Sequence, residues 1–195
     1  MRMGWHAHHA YVLMFTYEMV SPGYYATMAT QAGCVGFSTT NARPSIAPTF
    51  GVQGMMGTNP LCFGIPTDEE FDFVIDCATS VTQRGKIERY AREGRQTPYG
   101  QVIDSKGRVR TDTQQILADL VAGDAALCPL GGAGEDLGGY KGYGWAAAVE
   151  LLCTAFQQGP FGSLCVRACA CMCVCVCACV RACFGQGIWG RELVC

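Results

Sequence analysis

The chain has 195 residues, enough for one domain with a real hydrophobic core and too few for two comfortable ones. Half of its residues are hydrophobic and 15% are charged; a formal net charge of -2 and a pI near 5.9 give no reason to expect nucleic acid, so a small molecule is the better partner. No uncharged apolar stretch approaches the roughly 20 residues that cross a bilayer, and "AYVLMF" has no small-residue cleavage pattern beyond it, which makes the cytoplasm the default compartment.

Residues 1–20, "MRMGWHAHHAYVLMFTYEMV", have neither a clean period nor clear caps. Ser21-Pro22 then forms a good N-cap and first-turn pair, predicting a helix through "GYYATMATQAG" that stops at Gly33. "CVGFS" follows as a short buried strand, and the two prolines of "TTNARPSIAPTFG" make that stretch an extended loop. "LCFGI" and "FDFVID" are strand-like, separated by the turn "PTDEE". Ser80 is placed to cap a helix over "VTQRGKIERYARE", closed by Gly94, and "QVIDSKG" reads as a strand entering a turn. "TQQILADLV" is a short amphipathic helix, residues 123–144 are glycine-rich, and "GWAAAVELLCTAFQQ" is a mostly apolar helix beginning around Gly142. Strands alternate with helices, which indicates the α/β class.

The cysteines divide the chain. Five of fourteen (Cys34, Cys62, Cys77, Cys128, Cys153) are scattered among apolar neighbours without a CxxC pair, as free thiols in a reducing compartment would be. Nine lie between Cys165 and Cys195. A CxC alternation can chelate soft metals, yet the spacers here are hydrophobic where a thiolate cluster needs small polar or basic ones. From Cys165 to Cys183 the residues alternate between those with a pyrimidine-purine-pyrimidine codon (Cys, Arg) and those with a purine-pyrimidine-purine codon (Val, Ala, Met). A gt- or gtgc-type repeat encodes such a peptide, so residues 164–195 read as translated simple-repeat DNA rather than as a functional tail.

Several residues could carry chemistry. Gly132, Gly134 and Gly138 give GxGxxxG, a poor dinucleotide fingerprint because "AALCP" precedes it and the helix is expected only later. Lys141 stands before that helix, where unpaired N–H groups and the helix dipole favour a phosphate or carboxylate; a solvated loop lysine is the plainer alternative. Asp76 ends an apolar strand, where a carboxylate could take a ribose hydroxyl or simply cap a turn. Glu69, Glu70 and Asp72 read as a solvated turn rather than an acid-base pair. His6, His8 and His9 have no carboxylate or cysteine nearby to complete a metal site, so no metal is expected.

Taken together, "GYYATMATQAGCVGFSTTNARPSIAPTFG", "GTNPLCFGIP", "FVIDCATS", "YGQVIDSKG" and "GGYKGYGWAAAVELL" resemble the malate/L-lactate dehydrogenase family, which also contains ureidoglycolate, sulfolactate and diketogulonate oxidoreductases. The resemblance covers about residues 22–163 and leaves 1–21 and 164–195 as non-matching flanks. It implies a three-layer α/β/α sandwich with a mixed sheet, distinct from a Rossmann domain, and hydride transfer between NAD or NADP and a small 2-oxo or 2-hydroxy acid. It also implies a homodimer that closes the active site across subunits. Its cofactor contacts map onto Ala42 (often serine in the family), onto Asp76, Cys77 and Ala78, and onto Lys141. Asn59 and Pro60 of "GTNP" are expected to shape the same cleft, without a chemical role.

The departures from the family pattern are as informative. The family places a proton-relaying histidine just upstream of the glycine-tyrosine helix, a role suited to a group titrating near neutrality. Counting back without gaps puts Glu18 there, in "FTYEMVSPG", which does not match; His9 is nine positions too early. The family's N-terminal helical region, with its substrate-binding positions, has no counterpart, and neither does most of the family's sequence beyond "GPFG". The expectation is therefore a dehydrogenase portion with impaired turnover. The alternative is a non-catalytic truncated paralogue that binds cofactor or pairs with intact subunits.

Overall fold

The structure, a computed structural model, describes residues 11–16 and 22–156. Glu18, the three histidines and the cysteine-rich tail lie outside the described residues. Within them the fold is mixed α/β, built around a four-stranded sheet and a smaller two-stranded one.

The larger sheet runs in the order β1 (Tyr11–Thr16), β2 (Gly36–Asn41), β3 (Leu61–Ile65), β4 (Phe73–Cys77). β1 pairs parallel to β2, and the other two pairs are antiparallel. Helix α1 (Pro22–Gln31) connects the parallel pair, as such a crossover requires. It begins at Pro22 as the sequence predicts, and buries Pro22, Ala26, Ala29 and Thr30, one helical face. That face lies on the sheet over Gly36 and Gly64, whose missing side chains let the helix backbone come close.

β3 matches the strand predicted for "LCFGI" residue for residue. β2 starts two residues later than "CVGFS" and takes in Thr39, Thr40 and Asn41, which the sequence suggested were loop. Burial explains the shift: Ser38, Thr39 and Asn41 are fully enclosed, and polar residues in a sheet interior carry no alternation to read.

The second part of the structure comprises α2 (Arg84–Arg92), β5 (Val102–Asp104), α3 (Thr113–Ala122), β6 (Ala125–Leu127) and α4 (Gly139–Leu151), which widens into a π-helical turn over Leu152–Phe156. Its core packs Ile87, Val102, Ile116, Leu127 and Ala146 against Ile46 and Met56 of the long loop after β2. Ser80 does not cap α2: the N–H of Val81 donates to Cys128 O at 3.1 Å, and Ser80 bridges antiparallel to Pro129, holding this segment extended beside residues 128–130. The helix starts at Arg84, with Gln83 in the cap position and no side-chain cap bond. Its end follows the sequence. Gly94 takes φ +65°, Gly94 N–H reaches Ala91 O and Arg95 N–H reaches Tyr90 O, the paired bonds of a Schellman stop. α4 begins at Gly139, three residues before the start expected near Gly142, because a glycine-rich first turn has no propensity signal.

Candidate functional site

The residues singled out from the sequence fall at the junction of the two parts. Ala42 follows β2 directly and is half-buried. Its N–H donates to Asn59 Oδ1 at 3.1 Å, so that donor is taken up within the protein. Cys77 ends β4 and is exposed; Ala78 follows it, half-buried.

Asp76 and Cys77, adjacent in β4, point to opposite faces of the sheet. Asp76 is on the α1 side, where its Oδ2 accepts the N–H of Gly23 at 2.8 Å. The carboxylate thereby serves the first turn of α1, the capping role that its position at a strand end left open. A side chain at Gly23 would have its Cβ 2.7 Å from that same oxygen, so glycine is what lets the helix end approach. Cys62 lies across from Asp76 in β3 with its side chain fully buried. Burial first, then the neighbouring Asp76 and Cys77, push its thiol up to about 11. Cys128 is raised by burial to about 12, and neither thiol ionises at neutral pH.

Lys141 sits inside α4, in its first turn, rather than in the loop before it. It is exposed, with its ammonium 5.7 Å from the centre of the Tyr140 ring. Gly138 occupies the N-cap in a left-handed conformation and no side chain caps the helix. An uncapped helix start bearing a lysine is a favourable place for a phosphate or carboxylate. A short strand, β6, does precede the glycine-rich segment, but it is antiparallel to β5, so the parallel unit of a Rossmann fingerprint is not formed there.

Two contacts draw the Ala78 and Lys141 segments together. Leu130 N–H donates to Thr79 O at 2.8 Å, and Gly142 packs so tightly on Leu130 that a Cβ there would overlap its backbone. On the other side Thr79 N–H donates to Thr58 O at 2.9 Å, one residue before Asn59. Ala42, Ala78 and Lys141 thus belong to segments tied to one another through residues 58–59 and 130.

Sequence reasoning missed the polar knot behind this junction. Asn41 Nδ2 donates to Glu150 Oε1 at 3.1 Å, and Asn59 Nδ2 donates to Glu150 Oε2 at 2.9 Å and to Ala146 O at 3.0 Å. Asn41, Asn59 and Glu150 all have no exposed surface. The available signal was a single carboxylate in the apolar run "WAAAVELL", a residue almost never buried unless paired. By contrast Glu69 and Glu70 are exposed in the turn before β4, and Asp72 accepts the N–H of Thr67 there at 3.3 Å, a turn-shaping contact. Among the described residues no group of three or more His, Cys, Asp or Glu could hold a metal ion, and no helix is long and apolar enough to cross a membrane.

Comparison with known proteins supplies the wider frame. The model of the malate/L-lactate dehydrogenase family matches residues 12–180, reaching further in both directions than the 22–163 stretch that carries the motifs. Malate dehydrogenase of Pyrococcus horikoshii is 44% identical over 130 residues, 67% of this chain and 34% of that protein. Malate/(S)-sulfolactate dehydrogenase of Methanothermus fervidus is 31% identical over 72% of this chain and 38% of its own length. In three dimensions, the crystal structure of malate dehydrogenase from Entamoeba histolytica superposes with a TM-score of 0.68 at 39% identity, covering 72% of this chain and 39% of that one. The chain thus spans little more than a third of the length of the relatives it matches. By sequence and by fold, it belongs to the malate/L-lactate dehydrogenase family.

Proposed function

We propose that the described residues form a nicotinamide-cofactor-binding portion of an oxidoreductase acting on a small 2-oxo or 2-hydroxy acid. The observation that carries this reading is Lys141: exposed, in the first turn of an uncapped helix, on a segment tied through Leu130 to the residues just after Ala78. Such a place fits the negative charge of NAD or NADP. In this reading Lys141 holds a phosphate of the cofactor, and the exposed backbone around Cys77 and Ala78 lies along it. Asp76 acts at one remove, because its Oδ2 holds α1 in place. The Ala42 segment contributes through groups other than its N–H, which Asn59 occupies. The bound cofactor would give or take the hydride.

The matched relatives bear the names malate dehydrogenase, sulfolactate dehydrogenase and pyrroline-2-carboxylate reductase, so a carboxylate next to a carbonyl or imine carbon is the shared substrate chemistry. Turnover by this chain is proposed to be low. Its histidines are at positions 6, 8 and 9, and Glu18 falls where the resemblance places the proton-relaying histidine. Loss of general acid-base catalysis costs roughly 10²- to 10⁴-fold. Residues 22–163 are taken as the dehydrogenase portion, completed in the intact family by a three-layer sandwich and a homodimer. Residues 164–195 are taken as translated repeat DNA, which a transcript spliced past the repeat would support and a peptide mass spectrum covering the tail would contradict.

The test is an assay at 340 nm with NADH and NADPH against oxaloacetate, pyruvate, sulfopyruvate and pyrroline-2-carboxylate. Saturable cofactor binding with turnover at least about 10²-fold below an intact homologue supports the reading. Normal turnover would show that another group replaces the histidine.

A second reading, a non-catalytic paralogue that pairs with intact subunits, is favoured by the open face of the larger sheet. Phe63, Ile65, Phe73 and Ile75 share that face by register and are 37%, 44%, 55% and 46% exposed. Co-expression with an intact homologue, followed by size-exclusion chromatography, distinguishes a mixed assembly from a chain that migrates alone.

A further inference from the structure

We infer that Asn59 is a positioning residue: clamped by Glu150, it fixes the Ala42 and Ala78 segments relative to the helix that carries Lys141. The inference rests on the cofactor reading above and adds a role to a residue that neither touches a ligand nor supplies chemistry.

Its side chain and backbone act as a four-way bracket. Oδ1 accepts the N–H of Ala42 at 3.1 Å, and Nδ2 donates to Ala146 O at 3.0 Å and Glu150 Oε2 at 2.9 Å. The Asn59 carbonyl accepts the hydroxyl of Thr79, next to Ala78, at 3.0 Å. The amide cannot be turned over, since a donor faces its oxygen and two acceptors face its nitrogen. Aspartate would place an oxygen against Ala146 O and Glu150, and an aliphatic side chain would leave the Ala42 N–H and the Glu150 carboxyl without it.

The backbone gives the second observation. Asn59 has φ +35°, one of two non-glycine residues at positive φ among the described residues. Asparagine tolerates this region better than most side chains, although glycine does so more readily. The protein therefore keeps a side chain where bare backbone would be less strained, and that side chain is used in three hydrogen bonds. Asn41, the last residue of β2, binds the other oxygen of Glu150, so the carboxyl joins β2 and Asn59 to one side of α4. Ala146 and Glu150 lie on α4 five and nine residues beyond Lys141, so the start of the helix is held at the distance this bracket sets. The Asn59 amide uses its oxygen and both of its N–H groups, and each Glu150 oxygen accepts a bond; such directional contacts set orientation better than apolar packing.

The test is Asn59→Gly, which removes the amide while accommodating the positive φ, with Ile87→Val, a one-carbon truncation in the core cluster that also contains Ala146, as a control for general loosening. Two readouts are taken on the full chain: hydrogen exchange of the Ala42 amide, and NADH affinity by fluorescence titration. Asn59→Gly should speed exchange at Ala42 about tenfold or more while Val102 stays protected, and should weaken NADH binding roughly tenfold. Ile87→Val should leave NADH affinity within about twofold. Unchanged protection at Ala42 would overturn the bracket whatever the affinity. Unchanged affinity in a variant whose wild-type parent binds NADH would overturn its positioning role and leave the cofactor reading intact. If the parent itself fails to bind NADH or NADPH, the cofactor reading falls and the positioning role falls with it, while the exchange data still report whether the bracket exists.

Discussion

The larger sheet has opposite surroundings at the interior strand β2 and at the edge strand β4. At β2, α1 covers one face and the Glu150 side of α4 reaches the other; Ser38, Thr39 and Asn41 are fully buried although all are polar. At β4 all five residues are exposed, although Phe73, Val74 and Ile75 are apolar. The polar end is held closed by bonds to distant segments: Thr39 Oγ1 donates to Pro60 O, and the Asn41 and Asn59 amides donate to Glu150. The apolar end is open in a chain that spans little more than a third of its relatives' length. The Ala42, Ala78 and Lys141 segments of the proposed cofactor site are tied together beside the closed end.

Breaking the closed end should have the largest effect. Glu150→Leu would take the carboxylate acceptor from one N–H of the Asn41 amide and one of the Asn59 amide, and should cost about 2–5 kcal/mol in urea unfolding. Truncation sharpens the contrast. Ile116→Ala, in the fully enclosed core, should cost about 2–5 kcal/mol, whereas Ile75→Ala on the open face should cost under about 1 kcal/mol. Similar losses for the two would mean that Ile75 is covered in solution. Asp76→Ala removes the acceptor at the start of α1 and should cost about 0.5–2 kcal/mol.

Smaller effects come from titration. Asp104 is held down to about 2, chiefly by Arg108 and then by backbone N–H groups, so its contribution is present above the unfolded value near 4 and is lost as the pH falls toward 2. Arg108→Ala should flatten stability over that interval. Cys62 and Cys128 shift upward, so the folded state holds its thiol protons longer than the unfolded chain, and stability should fall as the pH rises above about 9. Among the five described cysteines, brief alkylation followed by peptide mapping should label Cys77 before the four buried ones.

Much of the fold could be read because apolar strands and glycine stops are local signals. "LCFGI" became β3 and Gly94 closed α2 because neighbouring residues alone decide them. Ser80 failed as a cap because the partner that keeps its segment extended, Cys128, is 47 residues away from Val81 in sequence. The start of α4 was misplaced because glycine hides a helical turn. At the candidate site, the positions of Ala42, Asp76, Cys77, Ala78 and Lys141 came from resemblance. The bracket behind them could not, since Asn41, Asn59 and Glu150 gain their meaning only when hydrogen bonds spanning 91 and 109 residues bring them together.

The central claim, that the closed end of this structure holds a nicotinamide dinucleotide, is tested most directly by mapping amide chemical shifts of the labelled chain as NADH is added. Saturable changes should concentrate at residues 42–43, 77–80 and 138–142, and Lys141→Ala should weaken them roughly tenfold. Shifts that are absent for both NADH and NADPH, or that gather at Phe63, Ile65, Phe73 and Ile75 on the open face instead, would contradict it.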